Sequence, residues 1–242
     1  MPVLDNPFDT TAAAAIRADQ SDPLVMYLIV DKSLRLSQAQ AMSAAAQACV
    51  KCAAAHSDSP QHAELFRLWH ERSYRKVALR ADTETYSRLL LTLDHGVSHG
   101  VFALPPIYRS AAAPEIQALR PVTDLKRPKP VGELVPEPHP WTMQLITRTD
   151  KAMTDGKAMA QAGHAAMMCN ESAWRRDPRY TAAFEGWWNA DLPMDVQAVA
   201  STEFEVLKQT VDSVVVRDAG LTQVDPGTET VLAFVPGITL LR

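Results

Sequence analysis

The 242-residue sequence predicts an α/β fold of two tandem small three-layer α/β/α domains, each built on a mixed, mostly four-stranded sheet. Three observations predict it: an internal repeat, the same run of apolar strands and helices in each copy, and a proline-rich stretch between the copies. Laying residues 23–52 on residues 140–169, without a gap, pairs Pro23 with Pro140, Met26 with Met143, Leu28 with Leu145, Ile29 with Ile146 and Cys52 with Cys169. Alanine richness inflates such a comparison, but these five pairs do not depend on it. Further along, Phe66 and Trp69 meet Phe184 and Trp187, and Thr83-Glu84 meets Thr202-Glu203, each at a slightly larger offset. An offset that only grows is what loop insertions leave in a duplicated domain.

Taken in order, residues 1–22 read as an N-terminal arm. In the first copy, residues 23–108, "LVMYLIV" reads as a strand and a helix follows with Ser37 as its N-cap. A second strand near Lys76–Arg80 leads to a helix opened by Thr83-Glu84. Residues 109–139 form a linker whose prolines forbid long helix and central strand alike. The second copy, residues 140–242, repeats the order: "TMQLIT" as a strand, a helix capped by Thr154, a strand at Val196–Ala200, and a helix opened by Thr202-Glu203. Two further strands, "SVVVR" and "TVLAFV", are separated by a turn bearing glycine and proline.

Composition narrows the function classes. With 47% hydrophobic residues the chain can bury a sizeable core, and a net charge of −4 argues against a binder driven by overall basic charge, leaving room for a local basic path. The start has no basic n-region with an apolar core, so no signal peptide is expected, and no apolar run approaches the roughly 18 residues of a membrane span. Three cysteines without an export signal imply reduced thiols in the cytoplasm.

Two stretches carry candidate chemistry. On the helix "DGKAMAQAGHAAMM", Lys157, Gln161 and His164 recur at i, i+4 and i+7 and fall within a band of roughly 60°. Thr154, Asp155 and Gly156 mark the helix start, so Lys157 lies in the first turn near backbone N–H groups and the positive end of the dipole, a place for an anion or a developing oxyanion. In "RDAGLTQVDPGTETVLAFVPG", Asp218 ends an apolar strand, Ala219 and Gly220 leave room for close approach, and Thr222 lies close behind. Taken singly, each has a plain structural reading: a solvated lysine, a packed histidine, an Asx-type turn. Cys49-x-x-Cys52 with His56 and His62 can be drawn as a zinc site, but Cys52 pairs with Cys169 in the repeat, where no ligand set exists. A small packing residue is the better account, and neither metal nor cofactor is expected. The tryptophans read as core or domain-contact residues.

Together, "MTDGKAMAQAGHA" and "RDAGLTQVDPGTETVLAFVPG" resemble the type-II peptidyl-tRNA hydrolase family, through its M-x-x-G-K-x-x-A-Q-x-x-H-A helix and its D-A-G-x-T-Q-x-x-P-G-x-x-T-V-L segment. The resemblance runs from Trp141 to Gly237. It implies a compact α/β domain that cleaves the ester between a peptide and the 3′ end of tRNA without a metal. Carried onto matching positions, it implies Lys157, Gln161, His164, Asp218 and Thr222 as catalytic residues. Thr154, Gly156, Thr230, Arg175 and Arg176 are added as substrate-binding residues. Either His164 or Asp218 is the base. A lysine that the family often carries two residues before the helical one is replaced by Asp155, and another that often begins the second strand is absent from "LPMDVQAV".

The first copy has Gln40, Ala44 and Gln47 where the second has Lys157, Gln161 and His164, and it reads as a degenerate, structural copy in which Asp94 and Ser98 answer Asp218 and Thr222. Residues 23–106 carry nine basic against seven acidic side chains, residues 140–242 nine against thirteen. The first copy's Arg72, Arg75, Lys76 and Arg80 are therefore expected to meet tRNA phosphates. Since enzymes resembling this family commonly pair as homodimers, the tandem chain is expected to form that pair within itself. The rival expectation is a catalytically inactive tRNA- or protein-binding member of the fold.

Overall fold

The computed structural model describes residues 22–127, 139–209, 212–220 and 223–238, apart from the side chains of residues 173 and 174. Much of the expected N-terminal arm, part of the linker, and Thr222 lie outside the described residues. The described residues form two α/β units whose sheets differ in size, one of six strands and one of four.

In the first unit β1 (Leu24–Asp31) is fully buried and pairs in parallel with β2 (Arg75–Ala81). Between them come helices α1 (Gln38–His56) and α2 (Ala63–Arg72), and α3 (Thr83–Thr92) follows β2. Ser37 caps α1 in a full capping box with Gln40, as its sequence signal predicts. Strands β3 (Gly96–Ser98) and β4 (Val101–Ala103) form a hairpin that extends the sheet beyond β1 in the order β3-β4-β1-β2. The two extra strands are two-residue pieces, β5 (Ile107–Tyr108) on β1 and β6 (Arg120–Pro121) on β2. Between these pieces is a four-residue helix, α4 (Pro114–Gln117), that buries Ile116.

The second unit repeats this plan. Strand β7 (Met143–Arg148) pairs in parallel with β8 (Met194–Val199), and β10 (Glu229–Phe234) lies antiparallel between β7 and β9 (Ser213–Arg217). Its helices are α5 (Asp155–Glu171), α6 (Thr181–Asn189) and α7 (Ser201–Lys208). Short helices α2 and α6, one in each unit, are not foreseen by the sequence reading. Neither His62 nor Tyr180 supplies a side-chain cap, so the signal that marks a helix start is missing at both.

Each sheet is covered on two faces. Alternate residues of β1 separate cleanly: Leu24, Met26, Leu28 and Val30 face one core, and Val25, Tyr27 and Ile29 face another beneath α3. The first of these cores does not stop at the unit. It continues through α1 and α5 to Met143 and Leu145 of the other sheet, so the two halves share one hydrophobic interior.

The halves meet reciprocally. Helix α1 packs along α5, α5 lies over β2 of the first sheet, and α1 lies over β8 of the second. Polar side chains tie the joint: Ser43 Oγ donates to the Met194 carbonyl at 3.1 Å, and Gln47 Nε2 to that of Leu192 at 2.8 Å. Alanines and Gly163 allow the close approach. A Cβ on Gly163 would lie 2.7 Å from Cys49 Sγ and 3.2 Å from Lys76 Cδ. Gly163→Ala should therefore destabilise the protein by about 1–3 kcal/mol through overpacking, measurable as a lower urea midpoint.

The hairpin corrects one part of the repeat. Ala103 pairs with Leu28 as Ala233 pairs with Leu145, so β4 and β10 hold equivalent places. In that register Ser98, opposite Val101, occupies the place of Val216, opposite Val231. Asp94 thus precedes its strand, whereas Asp218 follows its own. A tight turn at His99 and Gly100, both at positive φ, closes the first hairpin where the second has a loop. The first copy lacks the whole segment on which Asp218 sits.

Candidate active site

A cleft of about 230 Å³ opens between the halves, lined by residues 73–78, Pro121 and Val122 on one side and by α5 and the start of the β9–β10 loop on the other. Thr154, Gly156, Lys157, Gln161, His164 and Asp218 all line it.

The local sequence explains how these side chains converge. Thr154 caps α5, its hydroxyl accepting from the Lys157 N–H at 3.3 Å, and Gln223 grips Thr154 in turn at 2.9 Å through both its amide atoms. One and two turns on, Gln161 and His164 project from the same side of the helix. Asp218 leaves the end of β9, and its carboxylate is held by three donors. Lys157 Nζ and Gln161 Nε2 (2.6 Å) reach Oδ2, and the Gly220 N–H reaches Oδ1 at 2.7 Å. Thr230, fully buried on β10, donates to Gln161 Oε1 at 2.8 Å, which orients the amide so that its N–H points to Asp218. Lysine, aspartate, glutamine and threonine therefore form one hydrogen-bonded chain. Asp218, Gln161 and Thr230 are buried, while Lys157 and His164 are half-buried.

Asp155, an acid in a place where a base was expected, has a structural task. It is buried and accepts from the Leu125 N–H at 2.6 Å, Arg127 Nη2 at 3.0 Å and Gln38 Nε2 at 3.1 Å. It clamps the segment after β6 and the start of α1 to the start of α5. The Asp155 N–H donates to the Thr123 carbonyl at 3.0 Å, and a Cβ on Gly156 would stand 2.3 Å from the Val122 carbonyl oxygen. The helix start is thus closely covered by chain, and Gly156 is needed for that chain to pass.

The first half supplies residues that sequence reasoning assigned elsewhere. Lys76, expected at a phosphate, is buried, with Nζ 3.0 Å from His164 Nδ1 and lying over the rings of Tyr74 at 3.9 Å and Trp69 at 4.5 Å. Its signal was a lysine just inside a strand whose next residues, "VAL", are apolar; the strand lies against α5 at the domain interface, where a buried cation needs partners. Arg75 does line the cleft, while Arg175 and Arg176 lie in a turn beyond the end of α5 and are not among its lining residues.

The thiols of Cys49 and Cys52 are fully buried, and burial pushes Cys49 up to about 11 and Cys52 well above its ordinary value. Both are packing residues. Ligand atoms of His56, His62 and Asp94 do approach one another within 4.8 Å, and His62 Nε2 pairs with Asp94 at 2.9 Å.

Burial also sets the protonation of the joint. It holds His164 well below the ordinary imidazole value, reinforced by Lys76 and Lys157, and with Lys76 it holds His70 down to about 4. Burial pushes Glu171 up to about 7. An imidazole that stays neutral in the folded state contributes stability above pH 6.5 that is lost as pH falls toward 4, because the unfolded chain takes up protons the folded one refuses. Glu171 works the opposite way between about 4.5 and 7 and offsets His70, both side chains being more than a third exposed, so His164 sets the sign. Urea midpoints should accordingly fall from pH 6.5 to pH 4, and less steeply in His164→Gln.

A profile of the family described as peptidyl-tRNA hydrolase PTH2 matches residues 24–99 and 141–239, both halves of the chain. A protein of Schizosaccharomyces pombe named probable peptidyl-tRNA hydrolase 2 is 35% identical over 98 residues, covering 39% of this chain and 48% of the relative. A Thermococcus sibiricus protein named peptidyl-tRNA hydrolase is 33% identical over 99 residues, 38% of this chain and 81% of the relative. A Mus musculus protein named peptidyl-tRNA hydrolase 2, mitochondrial, is 33% identical over 102 residues, 40% of this chain and 55% of the relative. The chain spans about half the length of the yeast and mouse relatives.

Proposed function

The chain belongs to the peptidyl-tRNA hydrolase PTH2 family, and from that premise we propose that its second domain hydrolyses the ester joining a peptide or N-blocked amino acid to the 3′ end of tRNA, by direct attack of water. The observation that carries this reading is the hydrogen-bonded chain Lys157–Asp218–Gln161–Thr230 set at one wall of an open cleft.

A water held at Asp218 adds to the ester carbonyl, and its proton passes to the base, which is Asp218 or His164. The developing oxyanion is stabilised by the Lys157 ammonium, already inside the cleft and needing no reorganisation beyond leaving the carboxylate. Collapse breaks the bond from the carbonyl carbon to the ribose oxygen, which takes up the proton, giving a free peptide acid and a tRNA with its 3′ end intact. Gln161 keeps the carboxylate aimed, and Thr230 keeps Gln161 aimed. Thr222 is assigned to the water as well, from the motif alone.

The first domain, residues 23–108, is proposed as the non-hydrolysing copy, since Gln40, Ala44 and Gln47 replace the three polar groups of α5 and the loop bearing Asp218 has no counterpart. Residues 109–139 join it to the catalytic domain, residues 140–242. The reciprocal packing of α1 and α5 supports the proposal that one chain reproduces a dimer, so light scattering should give the mass of a single chain. Arg75 at the cleft is proposed to meet the phosphate next to the ester, with Arg72, Arg80, Arg175 and Arg176 as further phosphate contacts. Among the described residues no helix is long and apolar enough to cross a membrane. Cytoplasmic residence is part of the proposal.

The test is release of N-acetyl-aminoacyl groups from tRNA by the purified chain. Lys157→Ala should cut the rate roughly 10²–10³-fold, the scale of losing one oxyanion donor. Retention of tRNA without release, at concentrations where binding is complete, would instead make the chain a binding member of the fold.

A further inference from the structure

We propose that Lys76, carried by the first domain, is a positioning residue for the second domain's reaction: it donates to Nδ1 of His164, leaves the imidazole proton on Nε2, and so makes His164 a hydrogen-bond donor to the substrate instead of the base. This rests on the ester-hydrolysis reading above and decides between its two candidate bases in favour of Asp218.

The contact is built rather than incidental. Lys76 is 6% exposed, its Nζ is 3.0 Å from His164 Nδ1, and the Tyr74 ring lies against His164 with centroids 5.1 Å apart. The Trp69 and Tyr74 rings hold the ammonium from other sides. An ammonium has donors and no acceptor, so the imidazole nitrogen facing it must carry the lone pair. Neutral imidazole has one proton, which then sits on Nε2.

The groups around Lys76 keep this arrangement. Cys49 on α1 and Tyr74 before β2 are held protonated by burial, and His70 on α2 is held neutral. Glu171, at the end of α5, contacts Tyr74 and His70 and acts electrostatically on the ammonium, and Lys157 on α5 acts likewise on His164. Burial brings Lys76 down to about 8, so at neutral pH it still carries its proton. Above that value the free amine can accept from Nδ1–H, and the proton on Nε2 is no longer enforced.

The degenerate copy is thereby given work in the active site. By strand register Lys76 matches Met194 of β8, each standing opposite an equivalent methionine, Met26 or Met143, and a thioether cannot donate to an imidazole. His164 matches Gln47, which donates instead to the Leu192 carbonyl. Of the two pseudo-equivalent crossings, the one made by α5 over β2 pairs a cation with an imidazole, and the one made by α1 over β8 does not.

Two measurements on the full chain test this. Nitrogen-15 NMR of labelled histidine should show His164 with Nε2 protonated and Nδ1 bare at pH 7, shifting toward a tautomer mixture above about pH 8. In Lys76→Met the shift near pH 8 should vanish and the pH 7 tautomer should already be mixed. Nδ1 protonated at pH 7 in the wild type overturns the proposal, and that wild-type spectrum decides even if Lys76→Met does not fold. In the release assay His164→Gln, whose amide N–H can stand where Nε2–H stood, should stay within about tenfold of wild type, whereas loss of a general base costs roughly 10²–10⁴-fold. A loss on that larger scale also overturns the proposal. The NMR result does not depend on turnover, so failure of the hydrolase reading is seen separately, as a wild type without release.

Discussion

Asp218→Asn should abolish peptide release while leaving the fold intact, with a fall in kcat of roughly 10²–10⁴-fold set by the loss of a general base. The substitution keeps the size of the side chain and one oxygen, which in the place of Oδ1 still accepts from the Gly220 N–H (2.7 Å), while the Gln161 amide, 2.6 Å from Oδ2, loses its acceptor. What it removes is the negative charge facing Lys157 and the capacity to take a proton from water. With Oδ2 shared by Lys157 and Gln161 and Oδ1 held by the backbone, the carboxylate is oriented by three donors and cannot be replaced by a mobile neighbour. Urea midpoints should move little, because the neutral amide relieves a buried charge as it strands the Lys157 ammonium, which retains some solvent access. Full activity in Asp218→Asn would remove Asp218 from the chemistry.

The second large effect concerns the joint between halves. Residues 139–242 expressed alone should not form a folded, active monomer. In the whole chain α5 is covered by α1 and by β2, and the main core runs without interruption from Leu24 and Met42 through Met159 to Met143 and Val231. Removing the first half exposes the alanine and methionine face of α5, unpins Asp155 from Leu125, Arg127 and Gln38, and takes Lys76 from His164. An exposed apolar face of that kind is met by self-association or by loss of cooperative unfolding. Sedimentation and thermal unfolding of the fragment should show one or the other. A monomeric fragment with cooperative unfolding and wild-type release would separate the halves both structurally and functionally.

Much of this was legible in the sequence because it is periodic. The alternation of "LVMYLIV" placed β1 between two cores, Ser37 and Thr154 marked the starts of α1 and α5, and i, i+4, i+7 spacing put Lys157, Gln161 and His164 on one face. Helices α2 and α6 were missed because no cap residue announces them, and β5 and β6 because two-residue pairings have no period. Asp94 was matched to Asp218 on residue type, yet hairpin register decides such a match, and a two-residue turn against a loop shifts it beyond what sequence offsets reveal. The roles of Lys76 and Asp155 were hidden for a different reason. Each is set by partners on the other half, at separations of 88 residues for Lys76–His164 and 117 for Gln38–Asp155, where no local pattern speaks.

The most direct test of the central claim is single-turnover cleavage of N-acetyl-aminoacyl-tRNA in ¹⁸O-labelled water by the intact chain. The freed carboxylate should carry one labelled oxygen, the tRNA should be unlabelled with its 3′ end intact, and Asp218→Asn should give no release. Tight retention of the tRNA with no release by the wild type, or label in the tRNA, would contradict it.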